Sequence, residues 1–190
     1  MKTILKSIKI TLVFCVFLSI FYVFVLWAFA KFAGPNKGNV EVLSAKGKVV
    51  GAANIGQSFT KDIYFWSRPS SAGEGYDASG SAGSNKGPSN SVYLAVVNAR
   101  IDTFLVHHPY LKRKDVPAEM VTASGSGLDP DITSDCAYIQ VKRIAWARGM
   151  TEKDVKEIVD KTVQKPLFGL FGKESVNVLK LNIALDEARR

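Results

Sequence analysis

The residues with chemical capacity are few and poorly grouped. Ser58-Phe59-Thr60-Lys61 has the Ser-x-x-Lys spacing in which a lysine amine can take the proton of a nucleophilic serine, as in penicillin-recognising enzymes. The Ser-Asp-Asn and Lys-Thr-Gly elements that complete such a site are missing, and so is Gly-x-Ser-x-Gly. Asp160-Lys161-Thr162 has the residue types of a phosphoryl-accepting aspartate. Val163 and Gln164 follow where glycine and threonine should, and Val163 falls on the apolar face of an amphipathic helix. His107 and His108 are the only histidines; neighbours on a helix point about 100° apart, so they cannot share a metal as i and i+4 partners do. Near a helix C-terminus they read as solvated or dipole-stabilised. Neither Gly47-Lys48 nor Gly172-Lys173 has the upstream glycine of a phosphate-binding loop. Of the two cysteines, Cys15 lies in an apolar run and Cys136 far outside it, so neither an internal disulfide nor a zinc site is expected.

The element that must position everything else is residues 10–30, an apolar run without charge, proline or glycine. As a helix it covers roughly 31 Å, about one bilayer core, and in lipid it can satisfy its backbone only as a helix. Ala28-Phe29-Ala30 has the small-x-small form of a cleavage site, but signal peptides have shorter apolar regions, so the run reads as an uncleaved anchor. Lys2, Lys6 and Lys9 precede it, against Lys31 and Lys37 behind it, a modest bias that puts the amino terminus in the cytoplasm and the rest outside. Thr11, Cys15 and Ser19 fall at i, i+4 and i+8. Small residues so spaced let helices approach closely in lipid, which makes them a candidate face for another membrane subunit; a plain anchor is the alternative.

The expected organisation is a cytoplasmic terminus at 1–9, the span at 10–30, a linker with first strands at 31–50, and a soluble α+β domain at 51–190. Removing the three leading lysines leaves 22 basic residues against 17 acidic. That mild excess suits an acidic surface or anionic headgroups and shows no stripe that tracks nucleic acid. Gly149-Met150-Thr151 between two helices is therefore read as a turn, without DNA binding. A hairpin is expected around Lys46-Gly47-Lys48, and the dense aromatics Ile63-Tyr64-Phe65-Trp66 must be covered. Residues 68–90 are dominated by glycine and serine and read as a fixed functional loop rather than a spacer. Ser89 or Asn90 caps a helix with Leu94, Val97, Ile101, Phe104 and Leu105 on one face. Residues 121–123 read as a short strand entering a second small-residue loop, 124–131. Thr133 caps one helix that Gly149 ends, and Thr151 with Asp154 caps the next, with Val155, Ile158, Val159 and Val163 buried. Residues 176–178 read as strand and 182–187 as a short helix.

These loops also carry a resemblance. Ile55-Gly56-Gln57-Ser58-Phe59, Tyr64-Phe65, Arg68-Pro69-Ser70, Gly83-Ser84-Asn85 and Gly87-Pro88-Ser89-Asn90 resemble the C subunit of the bacterial potassium-transporting Kdp ATPase. So do Val116-Pro117, the run from Val121 to Asp129, Val176-Asn177-Val178-Leu179, and Leu181-Asn182 with Ala184-Leu185-Asp186. The chain departs from that pattern at Lys86 and Asp131 and lacks a proline beside Tyr22. The resemblance implies a single-span, non-catalytic accessory subunit of the inner membrane, with one compact extracytoplasmic α+β domain. Its implied partners are a channel-like subunit that carries potassium, a P-type subunit that hydrolyses ATP, and membrane lipid. It implies no cofactor bound directly, since ATP and potassium are handled by the complex. A proposed family role in raising ATP affinity points to Gln57.

Partner contacts are expected at Thr11, Cys15 and Ser19 in the span and at Arg68, Asn85, Asn90, Ser124, Ser126 and Asp129 in the loops. The competing reading is internal: Asn85 and Asn90 bond turn backbone and Arg68 pairs with an acid. Two other functions stay open on the residues alone. One is an anchored serine enzyme of the envelope using Ser58 and Lys61; the other is an extracytoplasmic ligand-binding domain built on the loops.

Overall fold

A computed structural model describes residues 2–188. Met1 and Arg189 with Arg190, the outer ends of the expected 1–9 and 51–190 segments, lie outside the described residues. The chain divides into two compact units, Met1–Glu41 and Val42–Arg190.

The first unit is one apolar helix, Lys2–Ala33, whose best window has a mean hydropathy of 2.7 and no burial. At about 48 Å it is long enough to cross a bilayer with tilt. It begins before Ile10 because lysines are good helix formers and nothing breaks the chain there. It is also not a plain α-helix. α1 (Lys2–Val16) passes through a π-helical turn at Phe17–Tyr22 into α2 (Val23–Ala33). Phe17 and Phe21 stack across that turn at 5.0 Å. Gly34 ends the helix, its N–H donating to the carbonyls of Phe29 and Ala30.

The second unit opens with the expected hairpin, β1 (Val42–Ala45) antiparallel to β2 (Lys48–Ala52). Lys46 and Gly47 both take positive φ, 51° and 75°, as a two-residue turn matched to strand twist requires. After the irregular stretch 53–90 comes α3 (Ser91–His107), then β3 (Asp131–Thr133), α4 (Ser134–Tyr138), α5 (Val141–Arg148), α6 (Glu152–Thr162), β4 (Ser175–Asn177) and α7 (Val178–Glu187). β3 and β4 pair antiparallel. The architecture is mixed helix and sheet, with the core where α5, α6 and α7 meet this small ribbon: Phe65, Ile132, Ile144, Val155, Val159, Val176, Leu181 and Leu185 are buried.

Two local helix signals held, whereas Thr133 stands at the start of α4 with its hydroxyl donated to Glu119 at 2.8 Å instead of capping the helix. Thr151 Oγ1 accepts from the Asp154 N–H at 3.1 Å, and Gly149 ends α5 at φ 65°. Three expectations are corrected. Residues 121–123 are not strand, because the Thr122 N–H and hydroxyl both bond the Ala118 carbonyl (2.9 and 2.7 Å) and wind the chain into a turn. The helix after Thr133 is two helices, parted where Gln140 sends its carboxamide into the core. Val178 leaves the strand and starts α7, because Asn177 Oδ1 caps the Lys180 N–H at 3.0 Å.

The stretch 62–66 leaves a turn, closed by the Tyr64 N–H on the Lys61 carbonyl at 3.1 Å, and pairs with no strand among the described residues. Side chains of α5, α7 and the residue before α5 supply its partners instead. Arg143 donates to the Asp62 carbonyl (2.6 Å) and the Tyr64 carbonyl (3.1 Å), and Arg148 to the Ile63 carbonyl (2.6 Å). Asn182 bonds both the N–H and the C=O of Phe65, at 2.8 and 3.0 Å. Gln140 does the same for Trp66, at 2.8 and 3.3 Å. Five consecutive carbonyls are thus satisfied by side chains, and a buried backbone group left unpaired is costly.

His108 belongs to this network and corrects the solvated reading. It is fully buried, stacked on Phe104 at 3.9 Å. Its Nδ1–H donates to the Phe104 carbonyl (2.7 Å), and its Nε2 accepts from Arg143 Nε (2.9 Å), which fixes the tautomer. Burial pushes its pKa down to about 4, and burial likewise lowers Arg143 to about 10. His107 faces outward and pairs with Asp62 at 2.8 Å.

Candidate functional site

Once Phe65 and Trp66 are pinned, the chain is delivered to Arg68 in a fixed direction, and the two glycine- and serine-rich loops meet there. Ser70 is the hub. Its hydroxyl donates to the Gly127 carbonyl at 2.7 Å and accepts from the N–H groups of Ala72 (3.1 Å) and Tyr76 (2.8 Å). The Ala82 N–H and the Ser81 hydroxyl both reach the Ser126 carbonyl at 3.0 Å, and the Ser124 N–H reaches the Pro69 carbonyl. Gly127 is required twice over: its φ is +70°, and a Cβ there would sit 2.5 Å from the Ala82 carbonyl and 2.9 Å from Ala72. Gly56 is pressed against the Asp129 carbonyl in the same way.

The structure brings Arg68, Ser124, Ser126 and Asp129 together. Arg68 Nη1 pairs with Asp129 Oδ2 at 3.1 Å, and Asp129 Oδ1 accepts from the Asp131 N–H. Ser124 is buried with its hydroxyl on the Gly127 N–H, and the Ser126 hydroxyl takes the Leu128 N–H. Arg68 thus pairs with an acid, as the internal reading expected, and the other three side chains also bond within the interlock. Asn90 caps α3, its Oδ1 accepting from the Tyr93 N–H at 2.9 Å. Asn85 is exposed in a left-handed turn at φ 49°, a conformation asparagine tolerates. Gln57 gives its carboxamide N–H to the Val50 carbonyl of β2 at 2.9 Å, so that side chain is turned onto the hairpin. Ser58 is exposed and no hydrogen bond links it to Lys61. Thr11, Cys15 and Ser19 all lie exposed on the apolar helix of the first unit; the π turn at Phe17–Tyr22 underwinds the stretch that holds Ser19.

Between the loop and α3 lies an open cleft of about 520 Å³, lined by Arg68, Ser70, Tyr76, Val96, Arg100 and Phe104 among others. Burial raises the Tyr76 phenol, whose hydroxyl donates to the Arg68 carbonyl, and Arg100 is held by the Val121 carbonyl at 3.2 Å. Among the described residues no group of three or more His, Cys, Asp and Glu side chains gathers as a metal site. The arrangement offers a rigid polar ridge beside an apolar helix, which suits recognition of a surface.

Sequence reasoning missed two parts of this site. Ser70 and Tyr76 were placed in a fixed loop, with no role given to either side chain. α3 was given a single buried face, yet of its side chains only Phe104 is buried, while Val92 (75%), Leu94 (44%), Val96 (42%) and Val106 (76%) are exposed. The signal was present: Val92, Val96 and Val106 lie off the Leu94–Phe104 stripe and form a second apolar face that a surface helix of a lone domain does not need, beside a polar edge where Asn98 and Asp102 bind Arg113.

Comparison with known proteins agrees with the resemblance carried by the loops. The family described as K+-transporting ATPase, c chain (KdpC), matches residues 4–187. A protein of Bacteroides thetaiotaomicron named potassium-transporting ATPase KdpC subunit is 74% identical over 98% of this chain and 99% of its own length. One of the same name from Flavobacterium psychrophilum is 50% identical over the full length of both chains. Another, from Caulobacter vibrioides, is 47% identical over 91% of this chain and 87% of its own. With its single apolar helix fitting a single-pass membrane subunit, the chain belongs to the KdpC family of potassium-transporting ATPase subunits.

Proposed function

We propose that this chain is an accessory subunit, without catalysis of its own, that a high-affinity ATP-driven potassium uptake complex needs for assembly and stability. A channel-like subunit then translocates potassium and a P-type subunit hydrolyses ATP. The chain sits in the inner membrane with its amino terminus cytoplasmic and its domain outside, where the interlocked loops and α3 dock at the potassium entrance. The observation that carries this reading is α3: a capped helix of 17 residues with one buried side chain and an exposed face of Val92, Val96 and Val106 needs a partner. The rigid ridge beside it holds that helix in one presentation. The family's suggested effect on ATP affinity has less support, because Gln57 already serves β2.

The test is reconstitution of the complex with and without this chain. Loss of the assembled complex and of high-affinity potassium uptake is expected in its absence; normal assembly and transport would overturn the proposal. Val96→Asp should leave the domain folded, since Val96 is exposed, and abolish co-purification. If the variant assembles normally, α3 is not the contact. In the span, a bulky residue at Ser19 should weaken co-purification, and unchanged assembly would return that helix to a plain anchor.

A further inference from the structure

One surface of the second unit is used by neither the interlocked loops nor α3. Between α6 and β4 the chain projects as a narrow tip, residues 165–173. Gln164 and Ser175 close its base with paired backbone bonds at 2.8 and 3.1 Å, and Leu167 and Phe171 exchange two more at 3.1 Å. Phe168 and Gly169 turn the chain at positive φ, 54° and 72°. The tip buries nothing: Leu167 is 64% exposed, Phe168 82%, Leu170 80% and Phe171 66%. A lone soluble domain does not spend four large apolar side chains on a turn that is closed by backbone bonds alone.

Charge indicates what covers it. From Lys161 to Lys173 the sequence holds three lysines and no acid, and Lys165 and Lys173 flank the apolar tip on both strands. The next acid, Glu174, accepts a bond from Ser134. Apolar side chains at an apex with a cationic collar behind them match the layering of a bilayer surface, acyl chains below anionic headgroups. The tip is a knob of four side chains, too small for a stable protein interface by itself. It also belongs to a chain that carries its own membrane-spanning helix, so a weak interfacial contact is made intramolecular and gains a high effective concentration.

We propose that residues 165–173 are a second membrane contact, in which Leu167, Phe168, Leu170 and Phe171 enter the interfacial region of the bilayer and Lys165 and Lys173 sit among anionic headgroups. The proposal does not depend on how the chain serves the potassium complex.

The test uses the full chain, without other subunits, in proteoliposomes. Phe168→Cys in a Cys15→Ser background carries an environment-sensitive NBD label; Cys136 is buried and stays unlabelled. In vesicles with a third phosphatidylglycerol the label should be blue-shifted, quenched by lipids spin-labelled near the headgroup, and shielded from aqueous iodide. Lys165→Gln with Lys173→Gln should lower the ratio of inserted to free tip roughly 30-fold, from about 1 kcal/mol per lysine near an anionic surface. Leu170→Cys provides an independent probe should the first variant misfold. A label fully open to iodide at both positions overturns the proposal. So does shielding that appears only after the other subunits are added, which would make the tip a protein contact.

Discussion

Acid should loosen this domain through one residue, and the effect can be worked from its surroundings. His108 is buried between Phe104 and the Arg143 guanidinium, and both its nitrogens are committed, one as donor and one as acceptor. Protonation would put a second cation against Arg143 and break the Nε2 bond. His107 adds further positive charge, and Asp62 opposes it. The pKa of about 4 in the folded chain against 6.5 for the free side chain is a gap of about 2.5 units, or about 3 kcal/mol. The sign follows from proton counts: between those values the unfolded chain binds the proton and the folded chain does not. Stability from His108 is therefore fully present above about pH 6.5 and drains away as pH falls toward 4. Carboxylates titrate near the lower end too, so the measurement is a difference. Urea unfolding of the second unit, followed by near-ultraviolet dichroism of Trp66, whose ring lies 5.8 Å from His108, should be run at several values from pH 7 to 4 for the native chain and His108→Gln. The glutamine variant should be weaker at pH 7 and lose about 3 kcal/mol less on acidification. Parallel curves for the two proteins, or a histidine resonance of residue 108 titrating near 6.5, would falsify the argument.

Other consequences are simpler to read. Asn182→Ala strands the N–H and C=O of Phe65, at about 1–3 kcal/mol each, so the melting temperature should fall by roughly 5 °C or more; an unchanged melt would mean water or a shifted helix replaces the amide. Gly127→Ala forces a left-handed alanine, about 1–2 kcal/mol, and a clash with Ala82, so the loops should separate and proteolysis between residues 68 and 90 should become rapid. Burial pushes the Cys136 thiol up to about 12, so maleimide at pH 7.5 should leave it unmodified until the domain unfolds; fast labelling of the native chain would contradict its placement. Thr151→Ala should cost about 1 kcal/mol through the lost cap of α6, seen in the same urea titration.

What the sequence made legible was short in range. The Lys46-Gly47 turn, the Thr151 cap and the Gly149 stop each depend on a few neighbours, and each was found where its residues said; the apolar helix was legible too, though it runs beyond residues 10–30 at both ends. The glycine and serine loops could be located and recognised, and Arg68 could be expected to seek an acid. That Asp129 was the acid, and that Ser70 held the second loop, depended on residues about sixty positions apart meeting in space. The side chains that organise 62–66 were least legible. Arg143, Arg148 and Asn182 sit in helices, and Gln140 just before one, where polar residues normally face water, and no periodicity distinguishes an inward arginine from an outward one. His108 was misplaced for the same reason: its solvation was judged from a helix end, while its neighbours come from α5.

The captured carbonyls of residues 62–66 bear on how the chain avoids misassembly. An irregular aromatic segment with free backbone groups can straighten and pair with a stranger's strand, because its backbone then offers the same hydrogen bonds at every register. Here each carbonyl has a donor of its own shape: a forked guanidinium for Asp62 and Tyr64, a second for Ile63, and one carboxamide each for Phe65 and Trp66. Sliding the segment by one residue would set every carbonyl against the wrong donor, so the network works as a keyed lock where a sheet would be a zipper. With each carbonyl already held by its own side chain, the lock leaves this stretch of backbone little to offer a neighbouring chain.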